Sequence, residues 1–320
     1  MAQFSGPRRW CYLTDLSVQI GALRLKNPIL TASGTFGYGQ ECAGLVNLNQ
    51  LGGIVTKAIT LEPRDGNPPP RIVETAAGML NSIGLANVGV DRFIKEKWPF
   101  LQSLDTAIIV NVAGSYVEEY VEVVKKLEAA EGIHGYELNV SCPNVRQGGL
   151  AIGSDRQSTF ELTTKVRAIT DRVVIVKLTP NVTRIADIAL AAQEAGADAV
   201  SLINTLRGMA IDIKTRRPKL ANVFGGLSGP AIKPVALAKV YEVYQAVTIP
   251  IIGIGGIMNY QDVLEFLLAG ATAVEIGTAN FINPAIGVKI IHELEKYCQT
   301  ENITNLNQLI GGLVTESTDY

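Results

Sequence analysis

The chain has 320 residues, of which 47% are hydrophobic and 18% are charged, enough for one large core within a single domain. A formal net charge of −2 excludes the basic footprint that nucleic-acid binding requires. No uninterrupted apolar run approaches the roughly 18–20 residues of a membrane span, so we expect a cytoplasmic protein that does not contact a membrane.

The first segment of the chain lacks the long apolar stretch of a signal peptide, and we expect residues 1–14 to form a short extension ahead of the domain. In residues 16–25, apolar and polar side chains alternate on either side of Gly21-Ala22. This pattern predicts an N-terminal β-hairpin, with strands at 16–20 and 23–25, that closes the bottom of a barrel.

Eight short apolar runs then recur along the chain, and longer amphipathic segments lie between them. The predicted strands are residues 28–33, 53–57, 107–112, 135–140, 173–178, 199–203, 250–254 and 273–277, and helical patterns include residues 117–130, 160–169, 185–195, 232–245 and 261–269. Apolar strands that alternate with helices are typical of a parallel sheet buried on both faces. Eight such units predict an α/β fold, a (β/α)8 TIM barrel that forms one domain over residues 1–320.

Three long insertions follow the second, fourth and sixth strands, at residues 61–87, 143–158 and 206–228. Each lies on the C-terminal side of its strand, which is the catalytic face of this fold, so we expect long loops that cover a ligand there. The third insertion contains a basic group that we interpret as solvated surface, with a mobile lid or a partner contact as the alternatives: Lys214, Arg216, Arg217 and Lys219.

The cysteines and histidines argue against a metal site. The four cysteines, at positions 11, 42, 142 and 298, lack the paired spacing of zinc or iron–sulfur sites, and nothing requires an oxidising compartment. Only two histidines are present, His134 and His292, so we expect neither a histidine metal centre nor a Ser-His-Asp triad.

Polar residues gather at the predicted C-terminal ends of the strands, which meet at one mouth in a barrel. The fourth strand is the clearest case, because Asn139 follows directly on its run of residues 135–138 and Cys142 comes three positions later. Amides without partners are costly away from water, so a polar ligand is expected above them. The full set is Ser33, Gly34, Lys57, Asn111, Asn139, Cys142, Lys177, Asn204 and Thr205.

Two of these residues are lysines that each follow three apolar or β-branched residues, Lys57 and Lys177. An ammonium group in such surroundings needs an anionic partner, which a bound ligand could supply. An internal ion pair with Glu137 or Glu275 is the alternative.

Glycine-rich turns end the last two strands, at residues 253–257 (GIGGI) and 275–279 (EIGTA), and Gly229 can join them. Glycine lets backbone N–H groups approach an anion closely, and barrels often hold a phosphate at these two loops. A phosphate there, together with lysines after the second and fifth strands, suggests a long cofactor across the barrel mouth, which FMN fits. A lysine could then stabilise the negative charge of the reduced ring.

The same residues belong to motifs that run in order along nearly the whole chain: NPILTASGTFGYG, GGIVTKAIT, NSIGLANVGVD, NVSCPNV, VKLTPN, GGLSGPAIKP, IGIGGI and AVEIGTA. With these motifs the chain resembles the dihydroorotate dehydrogenases, flavoenzymes that make orotate in pyrimidine synthesis. The cysteine after the fourth strand resembles class 1 of that family. Residues 81–90 are more similar to the NAD-linked class 1B than to class 1A, which uses fumarate and is the alternative.

The resemblance to class 1B implies a partner subunit that carries FAD and a [2Fe–2S] cluster and passes electrons to NAD, in a homodimer or a heterotetramer. It also implies that Cys142 is the base that takes a proton from C5 of dihydroorotate while C6 gives a hydride to N5 of FMN, and that Lys57 stabilises the reduced flavin. FMN contacts are implied at Ser33, Lys57, Ala58, Asn111, Asn139, Lys177, Ile203, Gly229, Gly255, Gly256, Gly277 and Thr278. Substrate contacts are implied at Lys57, Asn81, Ser82, Ile83, Gly84, Leu85, Asn139, Asn144, Asn204 and Thr205.

Two other functions stay open from the residues alone. A phosphate-binding isomerase or lyase without redox chemistry explains the glycine loops but leaves the asparagines unexplained. The second alternative is a catalytically inactive barrel that serves as a binding subunit. The presence of Cys142 and of both strand-end lysines argues against it.

Overall fold

A computed structural model of the chain describes residues 14–140, 146–147 and 150–315, and at residues 146, 147, 150 and 151 it describes the backbone alone. The predicted extension therefore lies outside the described residues except for Thr14, whose Oγ1 donates a hydrogen bond to the carbonyl oxygen of Ile303. Within the described part of the chain, no helix has the length and apolar character needed to cross a membrane.

Eight parallel strands close into a barrel, which confirms the predicted (β/α)8 fold. Each strand pairs with the next along the chain, and the eighth pairs with the first, where Val274 lies opposite Ile29. All residues of these strands are buried, as expected for a sheet with side chains packed inside and helices outside. The strands are β1 (Ile29–Thr31), β2 (Gly53–Val55), β3 (Ala107–Val112), β4 (Gly135–Asn139), β5 (Val173–Lys177), β6 (Ala199–Leu202), β7 (Ile251–Ile254) and β8 (Ala273–Ile276).

Helices surround the barrel. One of them begins earlier than the pattern predicted, because the polar residues 156–159 carry no apolar periodicity. Asp155 caps this helix, and its carboxylate accepts a hydrogen bond from the backbone N–H of Ser158 at 2.7 Å. The α-helices are Val90–Arg92, Trp98–Gln102, Val117–Glu128, Arg156–Arg167, Ile185–Glu194, Lys233–Tyr244, Tyr260–Leu268, Ala279–Ile282 and Ile286–Thr300. A π-helical turn, Phe93–Lys97, joins the first two, and short 3-10 helices are Gln40–Cys42, Leu48–Gln50, Ile152–Ser154, Pro230–Ile232 and Leu306–Leu309.

The helix Val117–Glu128 illustrates what holds the outer layer to the barrel. Its buried residues include Val117, Tyr120, Val124 and Leu127, which are three or four positions apart and therefore share one face. Fully burying an apolar side chain of this size contributes about 1.5–3 kcal/mol. Acidic residues in the first turn and lysines in the last turn also complement the helix dipole.

The predicted N-terminal hairpin is present, with Val18–Ile20 paired antiparallel to Leu23–Leu25. Its turn residue Gly21 has a φ of +54° and lies against Asp198, since a Cβ at Gly21 would be 2.8 Å from the Cβ of Asp198. Asp198 directly precedes β6, so the hairpin lies at the N-terminal end of the strands. It therefore closes the bottom of the barrel, as predicted.

The insertions after β2 and β6 combine into one four-stranded antiparallel sheet, which we call the lid sheet. In spatial order its strands are Leu206–Gly208, Gly225–Ser228, Gly78–Asn81 and Ile72–Thr75. Asn81 lies opposite Gly226, so backbone pairing joins the two insertions. Two shorter hairpins, of which the first carries the exposed basic group of the third insertion, are Ile211–Asp212 with Arg217–Pro218 and Arg146–Gln147 with Leu150–Ala151.

Candidate active site

A cavity of about 960 Å³ lies between the C-terminal ends of the barrel strands and the lid sheet. Residues at or just after the ends of seven strands line it, and only β3 contributes none among the described residues. Its volume is near the upper end of the range of roughly 300–1,000 Å³ that small-molecule sites occupy. The cavity can therefore hold an extended cofactor together with a small substrate.

The charge of the cavity wall has one sign. Among the described residues that line it, three are cationic, Lys57, Lys177 and Arg207, and none is an aspartate or a glutamate. Six asparagines supply amide donors and acceptors: Asn67, Asn81, Asn139, Asn181, Asn204 and Asn222. Such a wall suits a ligand that is rich in hydrogen-bonding groups and negatively charged.

Most residues for which a ligand contact was predicted lie at this cavity. The exception among the described cofactor residues is Asn111, which is fully buried and donates a hydrogen bond through Nδ2 to Oε2 of Glu137. Cys142 and Asn144 lie outside the described residues, so their roles stay predictions. The residues that line the cavity are Ser33, Lys57, Ala58, Asn81, Ser82, Ile83, Gly84, Leu85, Asn139, Lys177, Ile203, Asn204, Thr205, Gly229, Gly255, Gly256, Gly277 and Thr278.

The two strand-end lysines have different surroundings. Lys177 is almost fully buried, and its Nζ lies 2.8 Å from Oε2 of Glu275 and 3.2 Å from Oε2 of Glu137. Burial opposes its charged form, but the two carboxyl groups outweigh burial and raise the pKa of Lys177 to about 12. The internal ion pair that was the alternative for these lysines is therefore present at Lys177.

Lys57 is half-buried, and no described aspartate or glutamate lies within ion-pair distance of its ammonium group. Its backbone N–H donates to the carbonyl oxygen of Gly37 at 2.8 Å, which fixes the start of the loop after β2. Lys57 thus brings a positive charge to the cavity that no described carboxylate neutralises.

The glycine loops after β6, β7 and β8 meet at one side of the cavity. Gly255 and Gly256 have φ angles of +131° and +73°, which side chains rarely tolerate. A Cβ on Gly256 would lie 2.8 Å from the Cβ of Lys233 and 3.0 Å from the carbonyl oxygen of Gly229, so no larger residue fits there. At Gly277 the nearest atom to an added Cβ is 3.7 Å away, which leaves its backbone open to a ligand. These loops suit an anionic group such as a phosphate.

Several polar residues of the cavity wall were not predicted as site residues. Nδ2 of Asn67 and Nδ2 of Asn222 both donate to Oγ of Ser82, at 3.0 Å and 2.9 Å, and so connect the two insertions. Asn181 accepts a hydrogen bond from the backbone N–H of Arg207 at 3.0 Å and holds the first strand of the lid sheet. Asn181 ends the motif VKLTPN, so its position was a usable signal, whereas Asn67 and Asn222 lie in loops without a pattern.

The described residues include no group of three or more His, Cys, Asp or Glu side chains arranged to hold a metal ion. The hydrogen-bonding and charged groups at the cavity are therefore lysines, an arginine, hydroxyl groups, amides and backbone groups.

Comparisons with known proteins agree on one family. A model of the dihydroorotate dehydrogenase family matches residues 15–298. The chain is 54% identical over 301 residues to the dihydroorotate dehydrogenase B (NAD(+)) catalytic subunit of Geotalea uraniireducens, which covers 94% of this chain and 99% of that protein. It is 56% identical over 299 residues to the subunit of the same name from Geobacter metallireducens, over 93% of this chain and 98% of the relative.

A solved structure supports the fold independently. Dihydroorotate dehydrogenase from Eimeria tenella, in complex with ferulenol, aligns with a TM-score of 0.76 over 93% of this chain and 88% of that one, at 24% sequence identity. The family match and the relatives above cover nearly the whole chain. The chain therefore belongs to the dihydroorotate dehydrogenase family and is an oxidoreductase.

Proposed function

We propose that this chain oxidises dihydroorotate to orotate in pyrimidine biosynthesis, with FMN as its cofactor, and that it is the catalytic subunit of an NAD-linked enzyme. The observation that carries the proposal is the large cavity at the barrel mouth, lined by cations and asparagines with no carboxylate among its described residues. Both a phosphate-bearing cofactor and a substrate carboxylate would be attracted to such a wall.

The residues present fit FMN. Gly229, Gly255, Gly256, Gly277 and Thr278 would hold its phosphate, because their loops converge and leave backbone groups open to an anion. The ring would lie among lysines and asparagines at the ends of β2, β4 and β5. When bound, FMN supplies the acceptor for the hydride from C6 of the substrate.

The chain's asparagines would orient the pyrimidine. The side chain of Asn81 is held by its hydrogen bond from Nδ2 to the carbonyl oxygen of Gly226, at 3.3 Å. The Oδ1 of Asn204 accepts a hydrogen bond from the backbone N–H of Thr205 at 2.7 Å. Because these contacts fix the amide planes before a ligand arrives, less conformational entropy is lost on binding. Lys57 would meet the negative charge of the substrate and of the reduced ring.

Cys142 would take the proton from C5. Asn139 and Val140 line the cavity, and in the sequence they stand three and two positions before this cysteine. The other contacts of the proposal are the predicted ones at Ser33, Ala58, Ile203, Ser82, Ile83, Gly84, Leu85 and Asn144.

A partner subunit is part of the proposal. The relatives named above are catalytic subunits of NAD(+)-type enzymes, which implies a second subunit for electron transfer. The four cysteines of this chain have no cluster spacing, and Cys42 and Cys298 are free, so a [2Fe–2S] cluster would belong to the partner, to which the resemblance also assigns FAD. We expect a homodimer within a heterotetramer, located in the cytoplasm.

Anaerobic titration of the purified chain tests the proposal. The protein should be yellow with bound FMN, and it should bleach when dihydroorotate is added. A colourless preparation that FMN cannot reconstitute would favour the isomerase or lyase. Yellow protein that never bleaches would favour the inactive barrel. Addition of fumarate or NAD to the reduced chain, with and without the co-purified subunit, identifies the acceptor.

Replacing Gly256 with alanine should weaken FMN binding by about tenfold or more. The left-handed conformation costs a non-glycine residue about 1–2 kcal/mol, and the added Cβ would press on Lys233 and Gly229. A fluorescence titration of the apoprotein with FMN measures the change. Gly44→Ala is the matched control, because an added Cβ there meets nothing within 4 Å and Gly44 does not line the cavity. Equal FMN affinity in the two variants would remove Gly256 from the phosphate site.

A further inference from the structure

Three ionisable groups from three strands meet inside the barrel, beneath the cavity. Glu137 of β4 and Glu275 of β8 are fully buried, and Lys177 of β5 lies between them and the cavity. We call these three residues the buried cluster. Among the described residues, Glu137 and Glu275 are the two carboxylates within ion-pair distance of the Lys177 ammonium group. Two neutral residues donate hydrogen bonds to Glu137 of this cluster. They are Ser201, whose Oγ donates at 2.7 Å, and Asn111, which donates through Nδ2.

The buried cluster has one carboxyl group more than it has ammonium groups. If both carboxyl groups were ionised, one negative charge would be buried without compensation, which is costly in a protein interior. The hydrogen-bond donors are also unevenly shared. Glu137 accepts from Ser201, Asn111 and Lys177, whereas Oε1 of Glu275 has no partner among the described residues.

This asymmetry favours Glu275 over Glu137 as the site of the proton while both carboxyl groups are present. Burial and the adjacent negative charge of Glu137 raise the pKa of Glu275 well above its ordinary value. Burial also opposes ionisation of Glu137, but Lys177 and the donated hydrogen bonds outweigh it and lower the pKa of Glu137. Protonated Glu275 can donate a hydrogen bond to Glu137, so the pair titrates as a unit.

We propose that Glu137 and Glu275 share one proton, so that either carboxyl group alone can hold Lys177 in its charged form while the buried cluster stays neutral. The two glutamates are then positioning residues, because they act on the cavity through the ammonium group of Lys177. This role rests on the proposed function, in which Lys177 faces the flavin. Lys57 would supply a positive charge that no described carboxylate neutralises. The positive charge of Lys177 would be neutralised by the shared negative charge of Glu137 and Glu275.

Infrared spectroscopy of the protein in H2O and in D2O tests the shared proton directly and does not need a bound flavin. The wild type should show the C=O band of a buried, protonated carboxylic acid at pH 7. Glu275→Gln should lose the band because it removes the proton carrier. Glu137→Gln should also lose it, because Glu275 then becomes the ionised partner of Lys177. Glu119→Gln is the matched control, since Glu119 is a buried carboxylate paired with Arg64 at 2.9 Å, and it should keep the band.

The midpoint potential of bound FMN as a function of pH tests the effect on Lys177. Each single glutamine variant retains one carboxylate beside Lys177 and should follow the wild-type curve. In the double variant Glu137→Gln/Glu275→Gln, no carboxylate remains to offset the effect of burial, which disfavours the charged form of Lys177. Lys177 should therefore lose its proton at a lower pH than in the wild type. The potential of the double variant should therefore fall more steeply as pH rises, because a positive charge beside the site is lost.

The outcomes separate this inference from the proposed function. Absence of the carboxylic acid band in the wild type, or its survival in either single variant, overturns the shared proton. A single variant whose potential curve departs from the wild type as far as the double variant overturns the redundancy. If the double variant does not fold, the infrared bands and the potential curves of the two single variants still test the shared proton. A colourless protein that shows the expected infrared bands would contradict the proposal that FMN is the cofactor but would support the shared proton.

Discussion

In a Cys142→Ser variant, anaerobic reduction of the bound flavin by dihydroorotate should be about 10²–10⁴ times slower than in the wild type at pH 7. A free thiol titrates near ~8.5, so a small fraction is thiolate at neutral pH, whereas a serine hydroxyl without an activating base stays protonated. The wild-type rate should also rise with pH toward that value, and the rate of the variant should not follow it. Stopped-flow absorbance of the flavin measures both effects.

Cys42→Ser provides the matched control for this prediction. Cys42 is a free thiol that does not line the cavity, and burial and the neighbouring Glu41 raise its pKa. Its replacement should leave the rate of flavin reduction within about twofold, as expected of a substitution outside the cavity. If Cys142→Ser reduces the flavin as fast as Cys42→Ser at pH 7, Cys142 is not the base.

The barrel could be predicted from the sequence because its signal is local. The run Ala107–Val112 is apolar apart from Asn111, and the sheet buries all six residues. Each strand end lies within two residues of the predicted one, and at β2 the difference arises because the chain turns away from the sheet. Lys57 shows the reason, since its N–H bonds to Gly37 and not to a neighbouring strand, so β2 ends at Val55.

The lid sheet could not be predicted in the same way, because its pairing depends on contacts between distant parts of the chain. Asn81 pairs with Gly226, and these residues are 145 positions apart. Neither segment alternates strongly enough to read as a strand, and Gly225 and Gly226 would normally weaken one. Both glycines are required, since a Cβ on Gly226 would overlap Oγ1 of Thr205 and a Cβ on Gly225 would crowd Asn81. Only the position of the insertions on the catalytic face could be predicted.

The two strand-end lysines show the same limit at the site. In the sequence both follow three apolar or β-branched residues, so local pattern cannot tell them apart. The partners of Lys177 are 40 and 98 positions away, and only the closed barrel brings them to its ammonium group. In the structure Lys177 has internal counter-charges, whereas Lys57 lines the cavity and has no described carboxylate as a partner. We therefore expect different effects when each lysine is replaced.

Lys57→Met should slow flavin reduction by dihydroorotate by about 10²–10³-fold, the usual cost of removing one preorganised group that stabilises developing charge. It should also weaken orotate binding, because the uncompensated positive charge near the substrate is gone. The fold should be little affected, since the variant leaves no described carboxylate without its partner. Stopped-flow reduction, an orotate titration and a urea unfolding curve together measure these effects.

Lys177→Met is the informative comparison, because it should lower the stability of the protein, whereas Lys57→Met should lower the rate of flavin reduction. Removing Lys177 leaves the ionised Glu137 buried without its counter-charge, and breaking a buried pair in this way costs about 3–5 kcal/mol of stability. Lys177→Met should therefore shift the unfolding curve strongly, while Lys57→Met should unfold with the wild type and lose rate. Lys26→Met, which changes an exposed lysine beside Asp105, controls for the loss of one positive charge. If Lys57→Met reduces its flavin as fast as Lys26→Met, the charge that assists the reaction comes from elsewhere at the barrel mouth, and the distinction drawn between the two strand-end lysines is wrong.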